Sequence, residues 1–298
     1  MTRGRYAPSP TGDLHLGNLR TAVLAWLFAH SDPDGELLYR IEDLDASRVR
    51  PGLADRQRAD LESLGLTFDP PTVVQSDRFT AYDEALRRLT DRTFPCFCTR
   101  REIAEAASAP HATAGRYPGT CRSLTATEQA VRGRDRTPAI RLRAESAPVT
   151  VTDLLHGEVT AVPDDIVLRR NDGVAAYNLA VVVDDAGSGV DQVVRGDDLL
   201  ESAVNQSYLA DLLGFPAPTY AHVPLALNAD GRRLAKRDGA VTLADLAVRG
   251  VDPGDVLTMI AVSLELAVPG ESVTLADLRQ RFDPAALPHR PWIVSPGS

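Results

Sequence analysis

Pro8-Ser9-Pro10-Thr11-Gly12-Asp13-Leu14-His15-Leu16-Gly17-Asn18 is the stretch on which the fold turns. Its prolines and glycines fix a turn, and directly behind it Leu16, Leu19, Val23 and Leu27 recur at helical spacing, predicting a helix from about Leu16 to Ala29. A strand follows at Glu36 to Glu42, then helical patterns near Gly52 to Leu64 and Ala81 to Leu89. Between about Phe94 and Val162 the rhythm breaks into Cys, Pro and short strand-like runs, which reads as an insertion. Strand-like segments return at Asp165 to Arg169, Ala180 to Asp184 and Val190 to Arg195, followed by a helical pattern from Leu199 to Leu213 that stops at Gly214. Two βα halves separated by an insert predict an α/β fold with a Rossmann-type parallel sheet. The expected division is 1–93 for the first half of the Rossmann-type domain, 94–163 for the insertion, 164–240 for the second half and 241–298 for a short helical appendage.

The 298 residues, 44% hydrophobic and 24% charged, describe an ordinary globular protein without repeats or low-complexity tracts. A formal net charge of −9 weighs against a general nucleic-acid coating protein, although Arg100-Arg101, Arg132 to Arg136 and Arg232-Arg233 are local basic clusters. No uninterrupted apolar stretch of membrane-spanning length follows the N-terminus, and its Pro-Ser-Pro run is unlike a signal-peptide core. A cytoplasmic protein with neither a membrane nor a DNA partner is the expectation.

Three segments carry chemistry. A helix starting behind Pro8 to Asn18 would place unpaired N–H groups and positive dipole near a phosphate, with His15 adding a donor and Gly17 allowing close approach. Arg40-Ile41-Glu42-Asp43-Leu44-Asp45 crowds three acids just past a strand, where open α/β sheets collect ligands, and a buried Glu42 suits an ammonium group. A charged loop with Asp43 or Asp45 as a cap fits the same residues. Far downstream, Arg232 to Gly239 forms a basic, glycine-ended loop in which Lys236 could neutralise phosphoryl oxygens.

In this order the segments resemble the class I aminoacyl-tRNA synthetases, specifically the glutamyl branch. His15-Leu16-Gly17-Asn18 is similar to that class's HIGH signature and Arg233 to Arg237 to its KMSKS loop, with Ala235 where the family has Ser. Arg5 to Gly12, Arg40 to Asp45, Tyr177 to Asp184 and Val194 to Leu200 resemble the glutamate-specific pattern. The resemblance implies that Arg5, Ser9, Glu42, Tyr177 and Arg195 hold L-glutamate. It also implies that His15, Gly17, Asn18 and Lys236 serve ATP with Mg²⁺, His15 and Lys236 being catalytic. A ligand with two carboxylates and one ammonium calls for two arginines and one acid.

All three cysteines, Cys96, Cys98 and Cys121, fall inside the insertion, which favours one structural Zn²⁺ over buried thiols. Read from the residues, the fourth ligand is His111 ahead of Tyr117; the resemblance points to Tyr117. Only 59 residues follow Gly239, too few for the long anticodon-binding region of glutamyl synthetases. The resemblance is therefore nearest to their truncated paralog family, the glutamyl-queuosine-tRNA(Asp) synthetases, and implies transfer of glutamate to queuosine in tRNA(Asp). A minimal enzyme charging the 3′ end of tRNA(Glu) and a non-catalytic tRNA-binding paralog are the alternatives.

Overall fold

A computed structural model describes residues 1–107, 116–234 and 241–294. Its first βα run comprises β1 (Arg3–Tyr6), α1 (Leu16–Ala29), β2 (Glu36–Ile41), α2 (Leu53–Ser63), β3 (Asp69–Val74) and α3 (Phe79–Arg88). The middle holds β4 (Thr93–Cys96), α4 (Arg100–Ala107), α5 (Ala126–Gly133), β5 (Ala139–Leu142), β6 (Val149–Asp153) and β7 (Gly157–Ala161). Then come β8 (Val167–Arg169), α6 (Tyr177–Gly187), β9 (Gln192–Gly196), α7 (Leu200–Leu212) and β10 (Thr219–Val223). The chain closes with β11 (Ala226–Leu227), α8 (Leu243–Ala247), α9 (Pro253–Ser263), α10 (Leu275–Arg281) and β12 (Trp292–Ile293).

The α1 helix is buried over nearly its whole circumference, because a strand layer covers one side and the C-terminal helices the other. Leu16, Leu19, Val23 and Leu27 share one core with Val256, Ile260, Leu264, Leu275 and Leu278. The described part of the expected appendage is thus built into the central core, and β12 pairs in parallel with β11.

The parallel sheet expected as one unit is laid down as two hydrogen-bonded groups. One is β1-β2-β3; the other has the order β7-β6-β10-β9, with β10 parallel to both β6 and β9. They meet where β1 runs beside β9: Asp191 N donates to Arg3 O at 3.0 Å, and Arg5 Nη1 to Val194 O at 3.3 Å. Strand pairing also crosses the expected boundary at 163/164. Hairpin β6–β7 joins β10 and β9, while β8 closes the antiparallel sheet β4-β5-β8.

Ala180 to Asp184, expected as a strand, lies inside α6. A short apolar run such as Val181-Val182-Val183 has no period of its own, so burial decides. Here Leu179, Ala180, Val182 and Val183 pack against Tyr82, Leu142, Leu168 and Leu209, while consecutive Asp184 and Asp185 emerge about 100° apart around the helix. Asp184 pairs with Arg78 and Asp185 with Arg40. Among the described residues no helix is long and apolar enough to cross a membrane.

Candidate active site and cysteine cluster

A cavity of about 700 Å³ opens where β1, the start of α1, the end of β2 and the end of β9 converge. Arg5, Ser9, His15, Gly17, Asn18, Glu42, Tyr177 and Arg195 all line it, joined by Gln57, Asp198 and Arg233. Lys236 and the rest of the basic loop from Ala235 lie outside the described residues, as does His111.

His15 is the N-cap of α1, with extended backbone, and its Nδ1 accepts from Gly17 N at 3.1 Å and Asn18 N at 3.3 Å. Leu16 N donates to Val241 O at 3.0 Å and Leu19 N to His15 O at 3.1 Å. The first-turn N–H groups expected to face a phosphate are thus already paired, and the helix offers its dipole and the ring's Nε2–H instead. Since Nδ1 accepts, the neutral ring carries its proton on Nε2. Burial, with Arg233 nearby, pulls the His15 pKa down to about 4. Gly17 sits in a tight place: a Cβ there would lie 3.1 Å from the His15 ring and 3.2 Å from Ala226.

Charge is the other feature of this cavity. Arg40, fully buried, reaches Glu42 Oε1 with Nη2 at 3.1 Å and contacts Asp185 Oδ1 with Nη1. Asp185 Oδ1 also lies 3.4 Å from Arg5 Nε, which has no hydrogen-bond partner. Burial pushes the Asp185 carboxyl up, but Arg40 and Arg5 outweigh it and hold the group below its ordinary range. Burial raises Glu42 against the pull of the same two arginines. Arg195 Nη1 donates to Gln206 Oε1 at 2.7 Å and its Nε to His222 Nε2 at 3.0 Å. Within the buried group of Arg5, Arg40, Arg195, Glu42 and Asp185 at the cavity wall, three guanidiniums stand against two carboxylates, an excess of one positive charge.

Of the three acids after β2, only Glu42 lines the cavity. Asp43 accepts from Ser76 N and Oγ, and Asp45 from Ser47 Oγ, so both serve the loop. The basic clusters are partly spoken for: Arg136 pairs with Glu102 at 3.0 Å, Arg132 lies 3.8 Å from Cys121 Sγ, and Arg233 holds Asp198 at 2.7 Å. Asp185, Gln206, His222 and Asp153 escaped sequence reasoning; each reaches the site through packing between distant segments.

The Sγ atoms of Cys96, Cys98 and Cys121 lie within 4.8 Å of one another at the end of β4. Tyr117 completes the group, its hydroxyl 3.3 Å from Cys96 Sγ, 3.7 Å from Cys98 Sγ and 2.9 Å from Cys121 N. Two ligands 2.3 Å from a tetrahedral metal stand about 3.8 Å apart, so this donor set fits one ion with modest adjustment. Burial pushes the Cys98 thiol up to about 11, whereas at Cys121 burial is outweighed by hydrogen bonds from Phe97 N and the surrounding donors, which hold that thiol below its ordinary value.

Residues 1–292 match the family model for tRNA synthetases class I (E and Q), catalytic domain. A glutamyl-Q tRNA(Asp) synthetase from Nocardia farcinica is 58% identical over 98% of this chain and 93% of its own length. The chain belongs to the class I tRNA synthetases, in the glutamyl-Q tRNA(Asp) synthetase branch. A second such relative, from Cutibacterium acnes, is 51% identical over 91% of this chain and 79% of its own length. Among solved structures, a glutamate tRNA ligase from Elizabethkingia meningosepticum in complex with its amino acid aligns at TM-score 0.79 and 27% identity. That alignment covers 97% of this class I chain but 66% of the ligase.

Proposed function

We propose that this enzyme activates L-glutamate with ATP and transfers the glutamyl group to queuosine in the anticodon of tRNA(Asp). The observation that carries the reading is the uncompensated positive charge in the cavity. A zwitterionic glutamate carries one net negative charge, so it neutralises Arg5, Arg40 and Arg195 set against Glu42 and Asp185. Glutamine, with no net charge, leaves an arginine buried without a partner. Glu42 takes the ammonium group and Arg5 the side-chain carboxylate; Arg195 and Tyr177 supply the remaining contacts beside Ser9.

In the first step the glutamate α-carboxylate oxygen attacks the α-phosphorus of ATP, and the bond to the bridging oxygen breaks to release pyrophosphate. In the second an acceptor hydroxyl attacks the acyl carbon and AMP leaves. No covalent enzyme nucleophile is needed, because positioning and charge supply the catalysis. On this reading His15 Nε2–H donates to a phosphoryl oxygen, Gly17 and Asn18 hold the nucleotide end of the cavity, and Lys236 neutralises the leaving pyrophosphate. Mg²⁺ accompanying ATP would supply further charge neutralisation. Cys96, Cys98, Cys121 and Tyr117 would hold one Zn²⁺, which supplies structural cross-linking and no chemistry.

Incubation with ATP, labelled glutamate and total tRNA, followed by digestion and identification of the labelled nucleoside, tests the reading. Label is expected on queuosine of tRNA(Asp) and absent when that tRNA lacks queuosine. Label on the 3′ adenosine of tRNA(Glu) would replace this function with that of a minimal charging enzyme.

A further inference from the structure

Arg195, His222 and Asp153 stand in a row across three neighbouring parallel strands. In the register of β9 with β10, Arg195 lies opposite His222, and in that of β10 with β6, Tyr220 lies opposite Asp153. Arg195 Nε donates to His222 Nε2 at 3.0 Å, and His222 Nδ1 is 2.6 Å from Asp153 Oδ2. Both the His222 and Asp153 side chains are 0% exposed.

This row closes in only one protonation pattern. A neutral imidazole that accepts at Nε2 must carry its proton on Nδ1, and Asp153 is the acceptor that fixes it there. Asp153 is held in turn, its Oδ2 accepting from His222 N at 3.0 Å and its Oδ1 from Leu155 N and His156 N at 2.9 Å each. Burial keeps the His222 ring neutral against the pull of Asp153. The Tyr220 ring stacks on His222 at 5.7 Å and carries the Arg195 guanidinium 5.4 Å above it. With Nη1 on Gln206 and Nη2 on Leu199 O, three of the five N–H groups of Arg195 are committed and two are left for the cavity.

We infer that His222 and Asp153 are positioning residues for substrate recognition, aiming Arg195 through an uncharged acceptor so that its charge is left for a substrate carboxylate. The contrast lies within the same site: Arg5 and Arg40 share the carboxylate of Asp185 directly, whereas Arg195 meets the carboxylate of Asp153 only through the imidazole of His222. A carboxylate in place of the ring would hold the guanidinium equally well and cancel it. The inference rests on the reading that Arg195 grips glutamate.

ATP–pyrophosphate exchange with the purified chain tests it, using His222→Leu, which removes the acceptor, His222→Gln, which keeps one, and Arg195→Ala as a reference. His222→Leu should raise the KM for glutamate about 10–100-fold, the fold-change expected when one hydrogen bond of a charged group is lost, and leave the KM for ATP unchanged. His222→Gln should show a smaller rise. Partial unfolding would instead lower the active fraction and hence kcat, with the KM for glutamate where it was. Nitrogen NMR of the unaltered protein, which needs no variant to fold, should show His222 protonated on Nδ1 and bare on Nε2. An unchanged KM for glutamate in the folded His222 variants, or a proton on Nε2, overturns the inference. If Arg195→Ala itself leaves that KM unmoved, the glutamate reading of Arg195 fails; if it raises the KM and the His222 variants do not, only the positioning role fails.

Discussion

His15 uses its two ring nitrogens for different ends. Nδ1 closes the N-terminus of α1 by accepting from Gly17 and Asn18, and Nε2–H is left for the cavity. Two substitutions separate these roles. His15→Ala loses both, and should cost about 1 kcal/mol of stability by urea unfolding in addition to activity. His15→Asn keeps a capping oxygen, so its stability should stay near that of the parent while adenylate formation falls by about 10²–10³-fold, as when a transition-state donor is removed. Equal stability loss in both variants would deny the cap, and full activity in His15→Asn would deny the donor. The pH dependence has a definite sign. The folded pKa is about 4 and the unfolded value about 6.5, so between these the unfolded chain binds a proton that the folded chain refuses. The His15 contribution is complete above pH ~6.5, declines as pH falls toward ~4 and is level below that; His15→Asn should lack this segment of the stability curve.

Helix α6 shows why an element cannot always be read from its own residues. Its Asp184 binds Gln75 Nε2 and the Tyr82 hydroxyl at 2.8 Å each, and its Asp185 contacts Arg40 and Arg5. Replacing Asp185 by Asn leaves the buried Arg5 guanidinium without its carboxylate and Arg40 with Glu42 alone. Unfolding in urea should show a loss of about 3–5 kcal/mol, the usual cost of removing one partner from a buried ion pair. An unchanged midpoint would remove Asp185 from the charge balance of the cavity. The helices with a strong period or a clear stop were legible: α1 over Leu16–Ala29 and the α9 start at Pro253 match the pattern of the sequence. The α6 segment was not, because three valines suit strand and helix alike until tertiary burial chooses. In the cavity, Arg5, Ser9, His15, Glu42 and Arg195 sit in recognisable local motifs, whereas Asp153, Asp185, Gln206 and His222 stand behind the lining residues and reach them through strand register and helix packing between remote segments. Such partners have no local pattern to find.

At the scale of the whole molecule, the cavity and the cysteine cluster are separate constructions. Cys96, Tyr117 and Cys121 pack with Phe94 and Phe97 in a small core of their own, whereas Tyr6, α1 and the C-terminal helices belong to the central one. The charged groups proposed to answer glutamate are already hydrogen-bonded or ion-paired within this single chain: Glu42 on Arg40, Asp185 between Arg40 and Arg5, Arg195 on Gln206 and His222. No group of the acceptor tRNA is required to assemble them, and preorganised electrostatics of this kind acts without further rearrangement. ATP–pyrophosphate exchange with glutamate and ATP alone should therefore proceed without tRNA. The two constructions also make the proposed metal separable from activation. Cys96→Ser should lose the bound zinc, measured by elemental analysis of the purified protein, and loosen the sheet β4-β5-β8 while leaving tRNA-independent exchange largely intact. Transfer to tRNA, measured in the same preparation, is where the loss should fall, since Arg132 and Arg136 beside the cluster are candidate phosphate contacts. Exchange that appears only after tRNA is added would mean that the cavity is incomplete in the free chain. Exchange that disappears with the zinc would mean that the cluster supports the central core rather than the tRNA-facing side.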